Sequence, residues 1–100
     1  RHSGPAIVYL YFQRSIARLL TPSSVAVVGN FNNWDPKQTR LVKTNQEGVW
    51  RARLRLPPGV YQYSFVLDND TWVSDPGAKA RLSDGFGGSN SVIIVDGSEM

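Results

Sequence analysis

The residues with most chemical promise are tryptophans set among amides. The run Gly29-Asn30-Phe31-Asn32-Asn33-Trp34-Asp35-Pro36 closes an apolar stretch in an Asn-rich loop, and Trp72 follows directly on the turn Asp68-Asn69-Asp70. A large indole in such polar company is not expected to be wholly buried. An exposed flat ring beside amide side chains suits a sugar: the ring covers the apolar C–H face of a pyranose while Asn or Gln groups bond its hydroxyls. Core packing is the competing role for Trp34 and Trp72, and the local residues leave the two roles open. Trp50 differs, because it alternates in phase with Leu54 and Leu56 and is expected in the core.

Other chemistries lack their parts. The chain has no cysteine and a single histidine, His2 at its very start, which leaves nothing for thiolate catalysis, disulfides, catalytic triads or zinc. The carboxylates Asp35, Glu47, Asp68, Asp70, Asp75, Asp84, Asp96 and Glu99 mostly stand beside Gly, Pro or Asn, where acidic side chains serve turns by bonding the backbone. A glycosidase pair would have to face across a cleft that so short a chain would struggle to enclose. Asp68-Asn69-Asp70 begins like a calcium loop without the remaining ligands or the distal Glu, and Gly85-Phe86-Gly87-Gly88 lacks the Lys and helix of a phosphate loop. No catalytic residue, metal or cofactor is therefore expected. The stripe Arg51, Arg53, Arg55 could touch phosphates, yet alternate charges are what a half-solvated strand shows. Net charge is only 11 − 8 = +3 and is spread along the chain, so nucleic acid is not expected. Asn69-Asp70-Thr71 fits a glycosylation acceptor, but the lack of cysteine suits a reducing compartment such as the cytoplasm.

The elements that must position these residues read as strands. At 100 residues, with 41% hydrophobic, 19% charged and 11% aromatic, the composition is that of one ordinary globular domain. Val25-Ala26-Val27-Val28 is a short buried strand closed by Gly29. Val49 to Leu56 alternates strictly, with Trp50, Ala52, Leu54 and Leu56 on one face and the three arginines on the other. Pro57-Pro58-Gly59 forces a turn, and Val60 to Leu67 alternates again with Tyr61, Tyr63, Phe65 and Leu67 together, so these two strands are expected to pair as a hairpin. A short strand around Thr71–Ser74 ends at Asp75-Pro76-Gly77; a Gly- and Ser-rich loop, Ser83–Ser89, leads to a last strand, Ser91–Val95. Only Ser15–Leu20 hints at a helical period, and it ends at Thr21-Pro22. Short strands and polar turns in this number point to an all-β sandwich or small barrel.

The first 14 residues allow two readings. Arg1-His2-Ser3-Gly4 carries no initiator Met, and Leu10-Tyr11-Phe12-Gln13 looks like the end of a protease site placed in expression tags. Ala6–Gln13 is also apolar and β-prone, as an extra strand would be. The domain proper is expected over residues 15–100. No apolar run approaches the roughly 20 residues of a membrane helix, so no membrane partner is expected.

The motifs in order are more specific than any one of them. Val25-Ala26-Val27-Val28-Gly29-Asn30-Phe31-Asn32-Asn33-Trp34-Asp35, then Gly48-Val49-Trp50, then Leu56-Pro57-Pro58-Gly59-Val60-Tyr61-Gln62-Tyr63-Ser64-Phe65, then Trp72 with Asp75-Pro76, then Phe86-Gly87-Gly88-Ser89-Asn90-Ser91-Val92 closely resemble the glycogen-binding module of the AMP-activated protein kinase β subunit. The N-terminal domains of isoamylases and glycogen branching enzymes share the pattern. The resemblance implies an immunoglobulin-like antiparallel β-sandwich of the early-set type, with no catalytic activity of its own. It implies binding of α-1,4-linked glucans such as glycogen, starch and cyclodextrins, or else a linking role toward a kinase or catalytic domain on the same or another chain. By position, Trp34 and Trp72 match the two stacking tryptophans and Asn90 the Asn that bonds glucose hydroxyls. Phe86 replaces a Leu that pushes against the sugar ring, and Asn33 and Tyr63 are the expected neighbours. Three features depart from the pattern. Ser64 replaces a Lys that reaches sugar oxygens, Gly88 replaces a polar residue, and the turn before Trp72 is one residue longer. Loss of one charged hydrogen bond costs about 1.5–3 kcal/mol, enough to move a micromolar site toward millimolar.

Overall fold

The computed structural model describes residues 5–13, 22–83, 85 and 88–96; the Ser15–Leu20 segment and Phe86 lie outside these. Eight strands follow in chain order: β1 (Ala6–Gln13), β2 (Val25–Gly29), β3 (Val42–Lys43), β4 (Val49–Leu56), β5 (Gly59–Leu67), β6 (Thr71–Val73), β7 (Ala80–Ser83) and β8 (Ser89–Val95). All pair antiparallel. One sheet runs β1-β4-β3 and the other β2-β5-β8-β7, with β6 also on β5. The described residues contain no helix, hence none long and apolar enough to cross a membrane.

The sheets close on each other because each offers one apolar face. From the first come Leu10, Phe12, Trp50, Ala52, Leu54 and Leu56; from the second Val25, Val27, Tyr63, Phe65 and Leu67. Phe12 meets Phe65 edge to face at 5.7 Å between ring centroids, and Tyr63 meets Phe65 likewise at 6.0 Å. This is the geometry that aromatic quadrupoles favour. Trp50 is buried in this core as its spacing predicts, and the Lys43 ammonium lies over its ring, 5.3 Å from the centroid.

The expected hairpin between the Val49–Leu56 and Val60–Leu67 strands does not form. β4 pairs with β1 and β3, whereas β5 pairs with β2, β6 and β8 in the opposite sheet. Only Pro57 and Pro58 separate β4 from β5. A two-residue hairpin needs positive φ in its turn, which proline's ring forbids, so the chain crosses between the sheets instead. Tyr61 steadies the crossing by donating its hydroxyl to the Pro57 carbonyl at 2.6 Å.

β1 is integral to the sandwich. Its whole length pairs with β4, from Ala6 opposite Leu56 to Gln13 opposite Val49, and it buries Leu10 and Phe12.

Candidate functional site

The site is built on the face of the second sheet that points away from the core. Residues directly opposite in an antiparallel pair share a face, and alternate residues along a strand share one too. Trp72 stands opposite Val66, Val66 opposite Ala26, Ser64 opposite Val28, and Gln62 opposite Val92. Trp72, Gln62 and Asn90 therefore lie on one outer face, while Tyr63 and Phe65 take the core side. β2 occupies one edge of β5, so β6 and β8 follow each other along the opposite edge. The Ser74 hydroxyl donates to the Ser89 carbonyl at 3.3 Å and ties the end of β6 to the start of β8. Trp72 and Asn90 thus stand about two strand residues apart, on the order of 7 Å.

Trp34 reaches this face from the loop after β2. Gly29 lets the loop leave the sheet, because a Cβ there would overlap the Gln62 carbonyl oxygen and the Phe31 ring. Asn32 is the scaffold. Its Oδ1 accepts from Gly29 N at 3.0 Å, and its Nδ2 donates to the Val27 carbonyl at 3.0 Å and to Thr39 Oγ1 at 3.1 Å. Asn33 and Trp34 then take left-handed backbone at φ 64° and 58°, and Trp34 N donates to the Gly29 carbonyl at 2.9 Å. For a bulky residue such a φ costs about 1–2 kcal/mol, and outliers of this kind gather at functional sites. Asp35 closes the loop by accepting from Lys37 N at 2.9 Å and, more weakly, from Gln38 Nε2 at 3.4 Å. The Lys37 N–H, then the Gln38 amide, hold its carboxyl below the usual carboxylate range.

Trp72 is positioned by its turn. Asp68 and Asn69 are also left-handed, at φ 53° and 66°, and the Asp68 carboxylate accepts from Ser23 N at 2.7 Å and Ser24 N at 3.1 Å. That carboxylate is committed to the backbone. Among the described residues no cluster of three metal-ligating side chains occurs.

The outcome is a pair of indoles 6.4 Å apart between centroids and inclined by 19°. That separation exceeds the roughly 3.5–4 Å of direct face-to-face contact, so the two nearly parallel rings are not in full overlap. Trp72 is 53% exposed and Trp34 is half-buried. The longer turn before Trp72 does not carry its ring away from Trp34. Beside them Asn90 donates its amide to Gln62 Oε1 at 3.3 Å, both half-buried. Asn33, exposed, adjoins Trp34 in the chain.

Two expected residues are not in this group. Tyr63 is 2% exposed and sits in the core, because it shares a face with Phe65; it has no surface to offer a ligand. Its hydroxyl donates to Asp75 Oδ2 at 2.5 Å, and burial, reinforced by that carboxylate, pushes the phenol well above its ordinary value. Phe86 lies outside the described residues. Ser64 faces the right way but is buried, its hydroxyl given to the Val73 carbonyl at 2.9 Å. Gln62, which shares this face and accepts from Asn90, was not singled out by sequence reasoning. Its only signal was an amide between two tyrosines, out of phase with the aromatic face of the strand.

Residues 21–100 match the family described as the glycogen recognition site of AMP-activated protein kinase. The chain belongs to that family. It is a family of carbohydrate recognition, not of catalysis. The glycogen recognition match begins after β1, so one core strand of this sandwich precedes the matched span. Among its relatives are SNF1 protein kinase subunit beta-2 of Saccharomyces cerevisiae, 34% identical over 53% of this chain and 13% of that protein. Protein PTST homolog 2, chloroplastic, of Arabidopsis thaliana is 32% identical over 73% of this chain and 13% of its own length. The 5'-AMP-activated protein kinase subunit beta-1 of Sus scrofa is 35% identical over 71% and 53% respectively. The chain therefore spans about an eighth of the first two relatives.

Proposed function

We propose that this domain is a non-catalytic module that binds α-1,4-linked glucan, such as glycogen, starch or cyclodextrin, on the outer face of its second sheet. Trp34 and Trp72 form the platform, Asn90 and Gln62 bond sugar hydroxyls, and Asn33 lies at its rim. The observation that carries this reading is the near-parallel Trp34–Trp72 pair, 19° apart, beside a polar amide pair in a glycogen recognition domain. An uncharged polysaccharide offers apolar C–H faces and hydroxyls, and this face offers their complements. Neither ring needs a charged partner, so the basic balance of the chain plays no part. Phe86, by its place in the motif, is a further proposed contact.

Relatives named as kinase subunits and as soluble starch synthase 3 of Solanum tuberosum support a second element. In the whole protein the module would hold a kinase or a glucan-acting enzyme near its polysaccharide.

Titration with β-cyclodextrin, followed by tryptophan fluorescence, tests the reading. Quenching or a spectral shift with a dissociation constant between roughly 10 μM and a few millimolar is expected. Trp72→Ala abolishes it while leaving the fold intact. A folded protein that shows no response at several millimolar cyclodextrin would overturn the assignment.

A further inference from the structure

The opposite sheet carries a second surface that glucan recognition does not use. On the outer face of β4 stand Arg51, Arg53 and Arg55, and directly opposite them on β1 stand Tyr11, Tyr9 and Ile7. Val42 of β3, opposite Arg51, extends the same face. Tyr9 and Tyr11 are each 47% exposed. The three strands contribute no acidic residue. Among the described residues no carboxylate pairs with the three guanidinium groups, and the one contact they make with a ring is Arg51 over Tyr9, 5.5 Å from its centroid. Three uncompensated cations at every second residue repeat about every 7 Å along the strand.

The geometry of β1 says what form a partner would take. This strand ends its sheet, pairing only with β4 among the described residues. It is eight residues of Ala-Ile-Val-Tyr-Leu-Tyr-Phe-Gln without a proline, a charge or a glycine, the devices that usually blunt an edge. Its other side, which no described strand pairs, opens on a cleft of about 780 Å³ between β1, the Asp75–Ala80 loop and the end of β8, whose lining holds one Lys and two Asp, Lys79, Asp96 and the buried Asp75, the last already bonded to Tyr63 and Gly77. Backbone donors and acceptors along an eight-residue edge that no described residue pairs are what an extended peptide pairs with.

We propose that β1 accepts an extended acidic segment of a partner protein as an added strand. Carboxylates at alternate positions then lie beside the tyrosine stripe and within reach of Arg51, Arg53 and Arg55. The period of the added strand matches that of the arginines, so register and charge reinforce each other. A single-stranded nucleic acid fits less well. It makes no use of the strand edge, and the Tyr9 ring that a base would stack on already lies under the Arg51 guanidinium. The surface lies on the sheet opposite the tryptophan pair, so both can be occupied together, and the inference stands whether or not glucan binds.

The test uses the full chain and a fluorescein-labelled octapeptide of alternating Val and Glu, read by anisotropy at about 50 mM salt, where surface charges are weakly screened. Saturable binding is expected, with shifts of the backbone amides of Ile7 to Tyr11 by NMR. Arg53→Glu weakens it at least tenfold and Arg53→Gln less, both with unchanged thermal unfolding. The octapeptide of alternating Pro and Glu, which keeps the charge and loses alternate N–H donors, binds at least tenfold more weakly; that of Val and Lys does not bind. Absence of binding by the Val-Glu peptide up to about 1 mM overturns the proposal. So does equal binding of the Pro-Glu peptide, or displacement of the Val-Glu peptide by a lower concentration of a 12-mer oligothymidylate.

Discussion

The Tyr63 hydroxyl donates to the Asp75 carboxylate at 2.5 Å inside the sandwich, joining the middle of β5 to the turn after β6. Asp75 is itself buried; its Oδ1 accepts from Gly77 N at 2.8 Å, its backbone N donates to Ser91 Oγ at 2.9 Å, and its carbonyl accepts from Arg81 at 3.0 Å. A single aspartate thus fixes the turn that carries the chain from β6, which holds Trp72, toward β7 and β8.

Tyr63→Phe leaves a buried carboxylate oxygen without its donor and lowers stability by about 1–3 kcal/mol, a fall in Tm of roughly 5–20 °C. Alkaline pH supplies a second check. The folded phenol resists ionisation, whereas in the unfolded chain it ionises near its ordinary value of about 10. Its contribution to stability is therefore complete below about pH 10 and declines as pH rises above it, by at most about 1.4 kcal/mol per pH unit. Denaturation curves against pH should show this decline in the wild type and lack it in Tyr63→Phe.

Phe12→Ala tests whether the strand that precedes the family match belongs to the folded unit. Phe12 is fully buried against Phe65, and truncating such a ring costs about 3–5 kcal/mol. A Tm lowered by about 15 °C or more is the expected result by calorimetry. A change of only a degree or two would mean that β1 is dispensable.

Asn32→Ala separates the platform from its support. The substitution removes three hydrogen bonds of the Asn32 side chain, to Gly29, Val27 and Thr39, and touches neither tryptophan. About 1–3 kcal/mol of stability is lost with them. Trp34 is then no longer held in its left-handed backbone, so cyclodextrin affinity falls at least fivefold with both rings present. Fluorescence titration beside a thermal melt distinguishes loss of the platform from loss of the fold.

Strand β4 was legible because its apolar and charged residues alternate without exception from Trp50 to Leu56. The same alternation misled about pairing. Period two assigns a face to each residue but not a sheet to each strand, and only the missing positive φ at Pro57-Pro58 argued against a hairpin. Tyr63 illustrates the same limit. Its motif position suggested a site neighbour, while its phase with Phe65 already placed it with the core. β3 has two residues and β7 is exposed throughout, so neither carries a hydrophobic pattern to detect. The stacking of Trp34 on Trp72 depends on a loop folding over a sheet, a contact across 38 positions that no local pattern encodes.

Gln62 and Asn90 are brought together by β8 pairing beside β5, and their amides act as one group. The 3.3 Å bond between them orients both. Each retains further donor or acceptor capacity for a sugar hydroxyl, since an amide offers two donors and two lone pairs. Either Asn90→Ala or Gln62→Ala should weaken cyclodextrin binding about tenfold, near 1.4 kcal/mol, with little change in Tm because both residues are half-buried at the surface. Once one amide is gone the other loses its orientation. The double variant is therefore expected to bind only slightly more weakly than either single one, a coupling of about 1 kcal/mol in a double-mutant cycle. Strict additivity would mean that the two amides contact the ligand independently and that their mutual bond plays no part in recognition.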